Sequence, residues 1–149
     1  MDFGHHVLLV ALVIQIYNLQ IWTIQIVVYP LFGKVGPAEY IPYHRFYTAH
    51  IPLVVIIPGF LSFLMPVAVF AVLPESVPVW LAIVNIVMGL VGLAVTLGLE
   101  IPRHGRLERG GKNDALIAEL VAYNWPRTAS ITLSAGLTLA MAAHAFGPV

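Results

Sequence analysis

The sequence predicts an all-α integral membrane fold: a four-transmembrane-helix bundle forming a single domain over residues 1–149. Three observations predict it. Of the 149 residues, 60% are hydrophobic and 9% are charged, whereas a water-soluble domain carries about a quarter charged residues. Four apolar stretches, at about 7–29, 51–73, 79–99 and 127–146, are each long enough to cross roughly 30 Å of hydrocarbon as a helix. Third, the basic residues are segregated along the chain. Together with a mean hydropathy of +0.91, these exclude a water-soluble globule and a disordered chain. Seven basic residues balance seven acidic ones, which excludes electrostatic binding of nucleic acid. The lack of Cys excludes disulfides, thiolate catalysis and Cys-ligated metals. A barrel would need shorter alternating segments and more of them.

The elements follow in order. Met1-Asp2-Phe3 has no positive n-region and no small-residue cleavage site follows the first apolar run, so that run is expected to stay as the first helix. Gly33 to Gly36 ends it. Pro37-Ala38-Glu39 starts the next, with Pro and an acid in the first turn. That helix is expected to pass through Tyr43, Phe46 and His50 into the second span, bending near Pro52. Pro74 to Pro78 reads as a tight turn, so the second and third spans form an antiparallel hairpin. Asn113 or Asp114 can cap a helix that runs through Leu120 and Tyr123 into the fourth span, bending at Pro126. Helices 2 and 4 are therefore expected to extend beyond the membrane on one side.

Charge gives that side. Lys34, Arg45, Arg103, Arg106, Arg109, Lys112 and Arg127 follow the first span or precede and open the fourth. The positive-inside rule places the segments 30–50 and 100–126 in the cytoplasm and both termini outside.

Polar residues inside spans are costly, so their spacing is informative. Gln15, Asn18, Trp22, Gln25 and Tyr29 step 3-4-3-4 along the first span, and Asn124, Arg127, Ile131, Ser134 and Thr138 do the same along the fourth. Asn85, Gly89, Gly92, Thr96 and Glu100 share one face of the third, with small residues that let a neighbour approach. Glu39, Tyr43, Phe46 and His50 share a face of the second. Gln, Asn, Ser and Thr on such stripes commonly serve only helix packing. The cytoplasmic end differs, because Gln25, Tyr29, His44, His50, Glu100, His104, Asn124 and Arg127 all gather there.

That group defines the candidate chemistry. Glu100 and His104 lie four apart, on one helix face but for the kink expected at Pro102, and can form an oriented base. With His50 they make a two-His-one-carboxylate set, a ligand type suited to a metal ion such as non-haem iron. A haem held by one axial His, or no cofactor, is also left open. Catalytic roles are thus assigned to His104, Glu100 and His50, which also form the metal set. Substrate contacts are assigned to Asn124, Arg127, Trp22, Gln25, Tyr29 and His44. Asn and Arg donors facing an apolar cavity suit a quinone-like or phenolic oxygen. Pro58, Pro66, Pro102 and Pro126 would each free a carbonyl, near Val54, Ser62, Gly98 and Ala122, as cavity linings do.

The stretches GPAEYIPYHRFYTAHIPLVVIIP, LEIPRHGRL and YNWPRT resemble a group of small bacterial four-span membrane proteins of unassigned function. That group is in turn similar to anthrone-oxygenase-like membrane proteins, which oxidise polycyclic phenolic substrates. The resemblance covers about 29–132, and His44, His104, Asn124, Trp125 and Arg127 match its motif positions. It departs at Glu100, where the pattern has Gln, and at Ser62, where an acid often sits. What it implies is a membrane-embedded oxidoreductase or oxygenase acting on a lipophilic aromatic or quinone-like molecule, in a bacterial inner membrane. The expected partners are membrane lipid and that small molecule. A homo-oligomer, and a non-enzymatic accessory subunit of a larger membrane complex holding pigment or lipid, are the alternatives.

Overall fold

A computed structural model describes residues 1–147; the last two positions of the expected domain, Pro148 and Val149, lie outside them. The described residues are helical, with no strand among them. Four helices are long and apolar enough to cross a membrane: α1 (Phe3–Phe32), α2 (Pro37–Ala71), α3 (Val79–Gly110) and α4 (Asp114–Phe146). Each packs against two neighbours in the cyclic order α1–α2–α3–α4, the arrangement of an up-and-down four-helix bundle.

Local chemistry sets the ends. Asp2 caps α1 by accepting from the His5 amide at 3.1 Å. Pro37 opens α2 behind Gly36, where a missing N–H costs nothing. Asn113, rather than Asp114, caps α4 by accepting from the Leu116 amide at 2.9 Å. The α2–α3 turn closes with the Val77 amide donating to the Pro74 carbonyl at 3.0 Å. Gly111 ends α3 at φ 76°, a backbone region that favours glycine.

α3 runs further than the charge pattern suggested. Its helix continues through Pro102 to Gly110, so the segment 100–126 is nearly all helix. The two turns at that end meet where Lys112 Nζ donates to the Gly33 carbonyl at 2.9 Å. Arg103 braces α3 to α4 there, paired with Glu119 at 3.1 Å and lying 4.2 Å over the Tyr123 ring.

Two apolar clusters hold the bundle. One, towards the termini, gathers Leu8, Val69, Leu81 and Met141. The other, towards the basic end, gathers Ile24, Phe32, Tyr40, Leu107 and Leu120. Large apolar side chains such as Val13, Ile16, Leu64, Val67, Leu90 and Leu139 face outward, as expected of helices whose surroundings are lipid.

Polar side chains on α1 brace α2. Gln15 Nε2 donates to the Ser62 carbonyl at 2.9 Å, and Tyr17 and Gln20 both donate to the Val54 carbonyl, at 3.0 and 2.6 Å. Those two carbonyls lie four residues before Pro66 and Pro58. α1 thus supplies the donors that proline removed from α2. Further along, Asn85 Nδ2 donates to Thr138 Oγ1 at 2.9 Å, and Ser134 donates to Asn85 Oδ1, tying α3 to α4. Gly89 lets α2 and α3 touch: a Cβ there would come within 2.6 Å of the Phe63 carbonyl oxygen.

Candidate functional site at the basic end

Three of the four helices contain a wider turn. π-helical turns occupy Ile24–Val28 in α1, Pro52–Ile56 in α2 and Thr96–Glu100 in α3. Each ends two residues before a proline: Pro30, Pro58 and Pro102. The cause is local, because a proline ring clashes with the carbonyl four residues back and lacks the N–H to bond it. A wider turn removes the clash, and such turns recur at functional sites. α4 is different. It carries Pro126 through an unbroken α-helix, with no change to a wider turn at that proline.

The wider turns of α2 and α3 line an open recess of about 300 Å³ between those helices. Ile51, Pro52, Val55, Ile56 and Ile101 give it apolar walls. Tyr29, Tyr47, Glu100, His104 and Arg127 bring polar groups from all four helices. This combination, an apolar recess with a few convergent polar groups, is the ordinary form of a small-molecule site.

Tyr29 is the hub. Its hydroxyl lies 3.1 Å from His104 Nε2 and accepts from Arg127 Nη2 at 3.4 Å. His104 Nδ1 is 3.1 Å from His44 Nε2, so two imidazoles and a phenol form one hydrogen-bonded chain. Behind Arg127, Asn124 Nδ2 donates to Gln25 Oε1 at 2.7 Å, and Gln25 Nε2 donates to the Val121 carbonyl at 3.1 Å.

Two charged-type groups remain unanswered. Glu100 is 1% exposed and neither of its carboxyl oxygens has a hydrogen-bond partner; Arg127 is 4% exposed and its Nε has none. An Arg at a helix end commonly extends towards the interface, but Arg127 turns into the bundle. Glu119, eight residues before it on α4, is paired with Arg103. Buried polar groups are nearly always satisfied, so this pair is the strongest local departure from packing logic in the protein.

The sequence-derived site is sorted as follows. Tyr29, Glu100, His104 and Arg127 line the cavity. His44 stands one layer behind, its Nε2 3.1 Å from His104 Nδ1, while Gln25 and Asn124 bond to each other and to Val121 and Thr128, none of which lines the cavity. Trp22 lies away from the cavity: it is 42% exposed, donates to Thr132 Oγ1 at 3.0 Å and meets Trp125 edge-on. The turn at Leu19 and Gln20 interrupts α1, so Ile21 takes the inward place and Trp22 swings to the surface.

His50 also lies away from the cavity. It is exposed, its ring stacked on Phe46 and its Nδ1 2.7 Å from the Phe46 carbonyl oxygen. Glu39, Tyr43, Phe46 and His50 do share a face, but the outward one. The inward face is Tyr40, His44, Tyr47 and Ile51, also spaced 4-3-4. With His50 turned away, the two-His-one-carboxylate set loses a member. Among the described residues no group of three His, Asp or Glu side chains is placed to hold a metal ion. Tyr47, Thr48 and Glu108 line the cavity without having been singled out. The competing 4-3-4 stripe was the signal for Tyr47; both faces of that helix are aromatic, so spacing alone did not choose between them.

Fold and site together define a class: a bundle of four helices, each long and apolar enough to cross a membrane, with an acid–base pocket among them at the basic end. No known family, no curated protein and no solved structure matches the chain.

Proposed function

We propose that the protein is an integral membrane enzyme of the oxidoreductase or oxygenase type, acting on a lipophilic aromatic or quinone-like molecule in the α2–α3 cavity. The observation that carries this reading is the buried Glu100 carboxyl group, unpartnered at both oxygens, facing an apolar cavity beside the free Nε of Arg127. As a carboxylate, Glu100 accepts a proton from an acidic C–H or O–H of the substrate. Arg127 stabilises the oxyanion of the resulting enolate or phenolate, an interaction strengthened by exclusion of water. Dioxygen is the oxidant. For a hydroxyanthrone, the substrate class implied by the sequence resemblance, the ring CH₂ and O₂ become C=O and water.

The apolar wall of Ile51, Pro52, Val55, Ile56 and Ile101 suits a substrate that arrives sideways from lipid. In this reading the basic end, with Lys34, Arg45, Arg106, Arg109 and Lys112, lies in the cytoplasm of a bacterial inner membrane and both termini lie outside.

The test is turnover of 1,8-dihydroxyanthrone under air by protein in lipid nanodiscs, following oxygen uptake and anthraquinone absorbance together. Wild type is expected to exceed empty nanodiscs, and Glu100→Gln to lose about 10²- to 10⁴-fold, the range of general-base catalysis. Since the sequence pattern elsewhere has Gln at this position, the variant asks directly whether the carboxylate is the base. A rate equal to that of empty nanodiscs would remove the enzyme reading. Stable co-purification with larger membrane subunits, in that event, would favour an accessory role.

A further inference from the structure

A second, much smaller hollow adjoins the substrate recess. It measures about 20 Å³ and shares Val55, Ile56 and Arg127 with the recess as lining residues. Val55 and Ile56 belong to the π turn of α2, so one wider turn borders both spaces. The polar residues around the hollow have their donors engaged elsewhere. Asn18 Nδ2 donates to the Ile14 and Pro58 carbonyls at 2.8 and 3.0 Å, Gln20 Nε2 to the Val54 carbonyl at 2.6 Å, and Thr96 Oγ1 to the Gly92 carbonyl at 2.8 Å. What the hollow presents to an occupant is almost wholly apolar, with Ile21, Phe63 and Ile131 in its wall. A buried water needs several polar partners, whereas apolar hollows stay dry and take apolar guests.

Gly59 keeps this space open. It is buried within α2, and outside its own turn the nearest atom to a Cβ built there is Asn18 Oδ1, at 4.0 Å. Alanine would fit without displacing anything. It would also be the better helix residue, and it would fill space whose lining otherwise forfeits contacts. Gly89 is explained by the approach of the Phe63 carbonyl; no such approach explains Gly59. On packing grounds the glycine is the worse choice twice over.

We propose that the hollow is a dioxygen site, which holds the oxidant of the proposed reaction beside the substrate recess, with Gly59 reserving the space. On the measure by which one water needs about 10–15 Å³, the hollow's volume of about 20 Å³ admits a diatomic molecule and excludes an aromatic ring. Substrate and oxidant therefore do not compete for it. Dioxygen is uncharged and apolar, so an apolar wall suits it and the hydrocarbon around the helices supplies it. A guest leaving past Val55 and Ile56 enters the recess beside Arg127, where the enolate or phenolate is held. No bond is made or broken in the hollow itself.

This assignment rests on the proposed function for the identity of the oxidant, but its first test uses substrate-free protein. Full-length protein in lipid nanodiscs, labelled at the isoleucine δ1 methyls, is placed under dioxygen pressure, and the paramagnetic relaxation of each methyl is read by NMR. Ile21 and Ile131, buried in the wall of the hollow, are expected to relax more than Ile24, which is buried one turn along α1 and outside that wall. Gly59→Ala is expected to remove that excess, to leave the exposed Ile83 unchanged, and to unfold in SDS no more easily than wild type. In turnover of 1,8-dihydroxyanthrone the same variant is expected to raise the KM for dioxygen and not that for the anthrone. Absence of the excess in wild type, a comparison that needs no variant to fold, overturns the site, as does its persistence in Gly59→Ala. A lower stability of Gly59→Ala would mean that a bonded water fills the hollow, and an unchanged KM for dioxygen that the oxidant does not pass through it; either overturns the proposal. Failure of anthrone turnover, with dioxygen still found at Ile21 and Ile131, would remove the proposed reaction and leave the gas site standing.

Discussion

Glu100 and Arg127 are buried in a bundle that gains nothing obvious from them. Leaving a buried ionisable group without partners costs several kcal/mol, and apolar replacements of such groups are often neutral or stabilising. Where stability and activity compete, residues kept for chemistry show the opposite signs in the two assays. Glu100→Gln is therefore expected to keep or raise the thermal unfolding temperature in detergent while abolishing turnover; a large loss of stability would mark Glu100 as structural. At this scale the sequence was a good guide to residue types and a poor one to faces. Tyr29 and Arg127 were legible because they continue the 3-4 polar stripes of their helices, and Glu100 and His104 because they lie one turn apart at the end of the third. His50 and Trp22 were misplaced because each depends on a helical phase that a single turn can shift. For Trp22 it was the break at Leu19 and Gln20. For His50 it was the choice between two equally aromatic stripes.

The elements owe their irregularities to proline, and these irregularities build the site. Freed carbonyls at Val54 and Ser62 were anticipated from Pro58 and Pro66, and α1 satisfies both. What spacing did not reveal is that Pro30, Pro58 and Pro102 each follow a π turn, because that depends on how the clash is relieved and not on the residue alone. Helix contacts are set by small residues at defined places. Gly89→Ala would drive a Cβ to 2.6 Å from the Phe63 carbonyl oxygen, whereas nothing lies within 4 Å of one at Gly136. Gly89→Ala is expected to destabilise the bundle by about 1–3 kcal/mol, and Gly136→Ala to be neutral or slightly stabilising, in unfolding titrations with SDS. Equal effects would mean that α2 and α3 do not approach as described. At the start of α1 the Asp2 cap adds a pH dependence. The hydrogen bond from the His5 side chain, with that from its amide, holds the Asp2 carboxyl below its ordinary value. Its capping contribution is thus present above the ordinary aspartate value of about 4 and is lost as pH falls through the depressed one. Protection of the His5 amide, its exchange rate relative to the intrinsic rate at each pH, should fall only at that acidic end; loss of protection beginning well above it would contradict the cap.

For the molecule as a whole, composition and charge segregation carried the architecture. Four apolar helices in cyclic contact follow from hydropathy and span length, and the basic turns do meet at one end. The extension of α3 to Gly110 was not legible, because Pro102 reads as a stop although the preceding π turn absorbs it. Orientation is testable: Lys34 and Lys112 should react with membrane-impermeant amine reagents only from the cytoplasmic face, and labelling from outside would reverse the topology. The central claim is that the α2–α3 cavity is a ligand site built around Arg127 and Glu100. Its most direct test is titration of 1,8-dihydroxyanthraquinone, a product-like probe that does not turn over, into nanodisc-held wild type, Arg127→Leu and His144→Ala. The account predicts saturable 1:1 binding, weakened at least about tenfold (1.4 kcal/mol) by Arg127→Leu and unchanged by His144→Ala at the opposite end. Non-saturable partitioning, or equal affinity in all three proteins, would contradict it.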